Sequence, residues 1–485
     1  MTTFSLPKKI CGLYHKNGNN VSVMLHSFYN ETQIIPNPKG DFFSASLSAL
    51  YARDGDTVCM FTQPPDLLSW RKTYMDGFND VNVIEINPPD NLTSKGYPSG
   101  SIIYAFFHKL RDDENLCRQV RGKYFLTLFP TQEANTRAEG YGMRSLLHYD
   151  SYVVNSKVEF HSGAMQYGYA VCKSFLIKND SHFPLASQFA QQSKNGVWLK
   201  AEGSGSDLVE HVSQPSESSL RASWISIRGK LAAYFNVSDL TDADKAKHVN
   251  NVTGFPRRGL LLEEDISNYG DRNVNCATML EIDNQGNGKC IGIYNQNPNI
   301  DPFCGTNKLE YDQNFLAILD RYRTNLEEVK KIIEYELLKI YRFMHDREFA
   351  GIFGVDFFIC FSQDAIKILF TEVNARITNN SGINVVVAMN HKSLHHMPLN
   401  AHFPEPVNNI DDLSKYCVVD GVDYLRADPT QLSIMPQAFT AIWRKGSSYV
   451  LVEPGYVCRL IILGNDHNKI SYLTRRLSQK GIVFT

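Results

Sequence analysis

The 485-residue chain has no C-x-x-C pair, no long apolar run and no excess of charge of one sign. Each absence removes a class of function. Its ten cysteines lie scattered between Cys11 and Cys458, which in so long a chain points to reduced thiols in a cytoplasmic protein. Sequons such as Asn91-Leu92-Thr93 and Asn236-Val237-Ser238 then carry no weight. Nowhere do about 18 apolar residues run together, so no transmembrane span is expected. The opening "MTTFSLPKKICGLYHKNG" lacks the apolar core of a signal peptide. A formal charge of -2, from 49 basic and 51 acidic residues, gives no electrostatic ground for a nucleic acid or an anionic membrane as partner. The patterns H-E-x-x-H, G-x-G-x-x-G and G-x-x-x-x-G-K-[ST] are all missing. His391, His395, His396 and His402 cluster in sequence but are punctuated by Pro398 and Pro404, so they read as a surface loop and not as a zinc site.

Apolar material is plentiful. Hydrophobic residues make up 43% and aromatics 12%, enough for real cores, and the length suits about three domains. Strand-like and helix-like segments alternate in the first third: "TVCMF", "PPDLLSWRKTYMDGF", "VNVIEI", "KYFLTLF". That alternation predicts an α/β domain over residues 1–149. Further on, Leu326, Val329, Ile333, Leu337, Ile340 and Met344 recur at helical spacing, and Thr324 with Glu327 reads as a capping box. The last hundred residues hold short strands and a basic terminal helix, "ISYLTRRLSQK".

The most informative stretch is "FGVDFFICFSQDAIKILFTEVNAR", Phe353 to Arg376. Two apolar strands flank the polar turn Ser362-Gln363-Asp364. A turn near Asp364 sets Asp356 across from Glu372. Strict alternation puts Glu372, Asn374 and Arg376 on one face, together with Ile366, Ile368 and Phe370. Like charges directly opposite in a sheet are destabilising, and a divalent cation would relieve them, since Asp, Glu and the Asn carbonyl are the hard oxygen ligands magnesium accepts. Two other segments add to this. In "GVWLKAEGSGSDLVEHV" a strand carries Lys200 into a loop with Gly203, Ser204 and Gly205, which can bring backbone N–H groups and a point charge close to phosphate. In "RRGLLLEEDISNYG" an apolar strand stops abruptly at Glu263, Glu264 and Asp265 before Ile266.

A lysine before a flexible glycine loop, then a strand ending in "EEDI", then "GVDF" and "EVNAR": in this order the residues resemble the ATP-grasp superfamily over residues 150–385. The resemblance implies an α/β and α+β architecture: an N-terminal α/β domain (1–149), a two-lobed ATP-grasp region (150–385) and a small C-terminal extension (386–485). It implies a carboxylate–amine ligase that uses ATP and magnesium, two ions in the family pattern, and passes through an acyl phosphate. Its partners would be a small carboxylate, an amino acid or peptide, and an amine; homo-oligomerisation is left open. Asp356, Glu372 and Asn374 resemble the magnesium ligands, and Arg376 the arginine that meets the transferred phosphoryl group. Lys200 resembles the phosphate lysine under the Gly203-Ser204-Gly205 loop. Glu263, Glu264 and Ile266 match the hinge that reads the adenine edge, with Asp271 nearest to the expected ribose contact. An earlier lysine is also implied; Lys157 is the candidate, and Lys173 and Lys178 compete. A kinase on the same scaffold, or a nucleotide-binding regulator with little turnover, is the alternative reading.

Overall fold

The computed structural model describes, apart from single positions and short turns, residues 22–25, 48–86, 102–127, 132–145, 151–201, 209–235, 259–296, 306–375, 395–438, 442–451 and 457–484. Five strands, β1 (Ser22–Leu25), β2 (Thr57–Phe61), β3 (Asn82–Ile86), β4 (Tyr124–Thr127) and β5 (Arg144–Ser145), form a parallel sheet in the order β3-β2-β1-β4-β5. All five residues of β2 are buried, as a strand covered on both faces requires. Cys59, Phe61 and Phe125 pack one face against Ile102, Phe106, Leu110, Leu116 and Val120 of the helices that follow β3. Val58, Met60 and Leu126 on the other face join Leu67 and Trp70.

That second face is closed by the far end of the chain. Its core continues into Leu413, Ile434, Ile462, Ile470 and Leu473. The Asp66 carboxylate accepts from the Ile410 N–H, the first residue of the helix Ile410–Cys417. The C-terminal sheet runs Leu432–Ala438, Val457–Gly464, His395–His402, Val483–Phe484 in space. His395–His402 is therefore a strand paired along its full length with Val457–Gly464 and not a surface loop. Pro398 is tolerated there because the other neighbour, Val483–Phe484, pairs only with Ala401 and His402, leaving Pro398 on an open edge. His391 lies outside the described residues.

Between these parts sit two antiparallel sheets. One contains β6 (Ser174–Ile177), β7 (Val197–Ala201), β8 (Val209–Val212) and β9 (Leu260–Glu264) in the order β6-β9-β7-β8. Its back face packs Leu199, Leu260 and Leu262 on Phe183, Ala186, Leu220 and Trp224. The other contains β10 (Arg272–Ile282), β11 (Gly288–Gln296), β12 (Thr306–Lys308), β13 (Gly351–Phe361) and β14 (Ile366–Asn374) in the order β12-β11-β10-β13-β14. Its back face holds Val355, Phe357, Ile359, Ile368 and Phe370 against Val329, Ile333, Leu337, Ile340 and Met344 of the helix Leu326–His345. Among the described residues no helix is long and apolar enough to cross a membrane.

The cap of that helix differs from the sequence expectation. Asn325 is the N-cap, its Oδ1 accepting from Glu328 N at 3.0 Å, while Thr324 Oγ1 donates to the Glu328 carboxylate at 2.8 Å. Asn and Thr are both good caps, so the motif slipped by one residue. Asn325→Ala is expected to cost about 1 kcal/mol in urea unfolding. Thr324→Ala should cost distinctly less; equal losses would return the cap to Thr324.

Candidate active site

The hairpin β13–β14 pairs Asp356 with Glu372 and Gly354 with Asn374. The register then shifts, and Thr371 is left as an extra residue before Phe370 meets Phe357. This bulge corrects the strict alternation expected from sequence. Ile366, Ile368 and Phe370 face the helices, whereas Glu372 and Asn374 turn to the opposite face. Thr371 Oγ1 fixes the bulge by donating to Asp356 O at 3.0 Å.

Asp356 is held from both sides: Oδ1 accepts from Gln296 Nε2 at 3.0 Å and Oδ2 from Asn374 Nδ2 at 3.0 Å. Asn155 Oδ1 accepts from Ala375 N at 2.7 Å and anchors the strand just past Asn374. Glu372 meets Lys157 Nζ at 2.9 Å. Burial pushes the Glu372 carboxyl up, but the Lys157 ammonium and the Asp356 hydrogen bond outweigh it and hold it down at about 2. Lys157 opens the helix Lys157–Tyr167, whose Ser156 cap accepts from Glu159 N at 3.2 Å. A cation at a helix start opposes the dipole, so the carboxylate is needed to hold it there.

The facing sheet supplies a second charged group. Lys200 on β7 and Glu263 on β9 share one face and form an ion pair. His161, one helical turn beyond Lys157, brings Nε2 to 3.1 Å from Glu263 Oε1. Burial raises the Glu263 carboxyl, yet Lys200 and His161 depress it to about 2; Lys200 in turn is raised above its ordinary value despite burial, by Glu263. The next carboxylate, Glu264, points the other way: its Oε2 accepts from Tyr269 OH at 2.9 Å, and that hydroxyl accepts from Lys173 N at 2.6 Å.

Between the sheets lies an apolar cluster of Cys172, Cys360 and Leu369, with Ile266, Tyr269 and Phe358 packed against it. It forms because Ala170 O accepts from Phe370 N at 2.9 Å and Val171 bridges to Phe370, seating the lead-in to β6 against β14. Burial pushes the Cys360 thiol up to about 12 and raises Cys172 too, so both stay protonated.

Of the three candidate lysines only Lys157 reaches the acidic hairpin. Lys173 is exposed with its ammonium 3.9 Å from Glu264, and Lys178 is exposed, its N–H donating to His182 Nδ1 at 3.4 Å. Asp271 is exposed and its N–H donates to Phe361 O at 2.8 Å. Arg376 and the loop Gly203, Ser204 and Gly205 lie outside the described residues. His161, Gln296 and Asn155 were not singled out from sequence. His161 had a usable signal, four residues from Lys157 on a helix; the other two had none.

No protein-family model matches the chain, and no curated protein does. Solved structures do. The biotin carboxylase domain of 2-oxoglutarate carboxylase from Hydrogenobacter thermophilus, a dimer with MgADP, ADP and bicarbonate, matches with a TM-score of 0.52 at 11% identity, over 96% of this chain and 91% of that one. Biotin carboxylase from Campylobacter jejuni, with a β,γ-ATP ligand, matches with a TM-score of 0.51 at 11% identity, over 96% and 92%. Pyruvate carboxylase from Rhizobium etli matches at 0.50 and 12%, with 96% of this chain against 38% of that one. The chain has the ATP-grasp fold.

In this fold the β6–β9 and β10–β14 sheets are the two lobes, and the apolar cluster and both ion pairs lie on their facing surfaces. Among the described residues no three or more His, Cys, Asp or Glu gather to hold a metal by themselves. The donor set of Asp356, Glu372 and the Asn374 amide nevertheless fits magnesium, which takes one or two carboxylates and completes its octahedron with phosphate oxygens and water.

Proposed function

We propose that the protein is an ATP-dependent, ADP-forming ligase that joins a carboxylate to an amine. The observation carrying this reading is the pairing of Asp356 with Glu372 beside Asn374, on the face turned to Lys157 and to Lys200 of the opposite lobe. Two carboxylates placed directly opposite are costly unless a cation joins them, and two lysines nearby suit a polyphosphate. The nucleobase would lie against the apolar cluster of Ile266, Tyr269, Phe358, Cys172, Cys360 and Leu369.

A carboxylate is a poor acyl donor because oxide would have to leave. Attack of its oxygen on the terminal phosphorus of ATP breaks the bond to ADP and gives an acyl phosphate. The amine then attacks the carbonyl carbon, phosphate leaves and the amine proton goes to solvent. Bound magnesium would neutralise charge on the phosphates. Asp356, Glu372 and Asn374 would hold it, with Gln296 and the Thr371 bulge orienting Asp356. Lys157 and Lys200 would hold the phosphates, and Arg376 would grip the moving phosphoryl group bidentately.

The test is hydroxylamine trapping across pools of carboxylates. Bicarbonate belongs in the pool, because the Hydrogenobacter protein is described with it. With the right acid, ATP and magnesium but no amine, ADP and a hydroxamate are expected, and Arg376→Ala should suppress the hydroxamate more than it weakens ATP binding. Pyrophosphate in place of phosphate would sink the acyl-phosphate route. ADP formed with a stable, hydroxylamine-inert phosphoester would make the protein a kinase.

A further inference from the structure

One helix serves two carboxylates on different lobes. Lys157 meets Glu372 at 2.9 Å, and one turn on His161 meets Glu263 at 3.1 Å. Phe160 and Ala164 of the same helix face the hydrophobic core behind β10–β14, so Lys157 and His161 are the residues it presents to the charged side. The Glu263 side chain is 2% exposed and already carries Lys200 as a counter-ion; the imidazole is likewise 2% exposed. Neither imidazole nitrogen makes an aligned hydrogen bond. A buried histidine beside a carboxylate that already has a lysine is one partner more than that carboxylate needs.

The surplus has a use if Lys200 has to leave. An ammonium that moves onto a nucleotide phosphate abandons Glu263 in nearly dry surroundings, where an unpaired carboxylate is strongly disfavoured. We propose that His161 is a positioning residue that becomes the counter-ion of Glu263 when Lys200 shifts to the nucleotide phosphates. This rests on the nucleotide-binding reading of the cleft. As Lys200 moves away, the charges facing the imidazole change: Glu263 on β9 remains, the repelling Lys200 of β7 is gone, and Lys157, one turn back, is directed to Glu372 of β14 and the phosphates. Glu264 points away towards Tyr269 and does not enter. The imidazole therefore takes a proton from solvent, donates it from Nε2 to Glu263 Oε1, and becomes imidazolium. Magnesium-nucleotide binding should be accompanied by net proton uptake through a residue that never touches the nucleotide.

The experiment is calorimetric titration of the full chain with MgATP near neutral pH, in buffers of different ionisation enthalpy. The parent should take up a fraction of a proton per nucleotide bound. His161→Gln, close in shape, should lose that uptake and bind MgATP roughly 10–100-fold more weakly, the range of one charge-assisted hydrogen bond. Glu263→Gln should also lose the uptake, since no charge is left to hand over. The double variant should bind MgATP more tightly than His161→Gln alone, a rescue that a purely structural histidine would not show. Parental affinity and uptake in His161→Gln, or a double variant no better than that single one, would overturn the proposal. Should His161→Gln fail to fold, persistence of the uptake in Glu263→Gln would overturn it equally. A parent that does not bind MgATP fails at the first titration, and that result falls on the reading of the cleft itself.

Discussion

Glu372→Ala is expected to lower ATP turnover by at least about a hundredfold, the usual scale for removing one electrostatic stabiliser of a transition state. It should also weaken the fold. Glu372 faces the cleft, but it is the carboxylate 2.9 Å from Lys157, whose side chain is only 7% exposed. Breaking one side of such a pair typically costs about 3 kcal/mol or more. The two effects separate in a double variant. Glu372→Ala with Lys157→Met replaces a stranded cation by an apolar side chain of similar length, and should recover much of the stability with none of the activity. Urea midpoints and ATP hydrolysis measured on the same preparations give both numbers. Normal turnover in either variant would remove the hairpin from the proposed metal site, whatever its stability.

Acid should unfold the protein through Glu263. Its carboxyl sits near 2 when folded, against an ordinary 4.5. A depressed value stabilises the folded state fully above the ordinary value, and the contribution is lost as pH falls from 4.5 towards 2. For a side chain 2% exposed the loss is on the order of 3 kcal/mol. Glu372 titrates over the same window, so the parent should lose stability steeply there. In Glu263→Gln the urea midpoint should start lower at neutral pH and fall less on acidification. Parallel midpoint curves for parent and variant between pH 5 and 2.5 would show that the Glu263 cluster adds nothing to acid stability.

The acidic hairpin could be read in the sequence because register in a hairpin follows from turn position, and the turn was marked by Ser362 and Gln363. Alternation then fixed Asp356 opposite Glu372. It failed one residue further on: the Thr371 bulge is held by a bond to Asp356 O that no local pattern announces. The direction of Glu263 was likewise hidden. A strand ending in three acids does not reveal that the first turns to a lysine on β7 and the second to Tyr269. Apolar periodicity found the helix Leu326–His345, but two adjacent residues of similar capping strength left its cap ambiguous. Pro398 and Pro404 suggested a loop because proline counts against strands in general, and only the sheet order shows that Pro398 sits on an open edge.

The shared core of the first and last parts of the chain bears on how the protein is made. The β2 face formed by Val58 and Met60 meets part of its cover, Leu413, Ile434 and Ile462, only several hundred residues later. At about 5–20 residues per second on the ribosome, that interval is on the order of tens of seconds. During it the emerging parallel sheet has two helices for one face and, for the other, only the helix Pro65–Tyr74 with Leu67 and Trp70. A nascent chain in this condition is a substrate for holdase chaperones, and stalling translation ahead of residue 395 would leave an apolar sheet face open to aggregation.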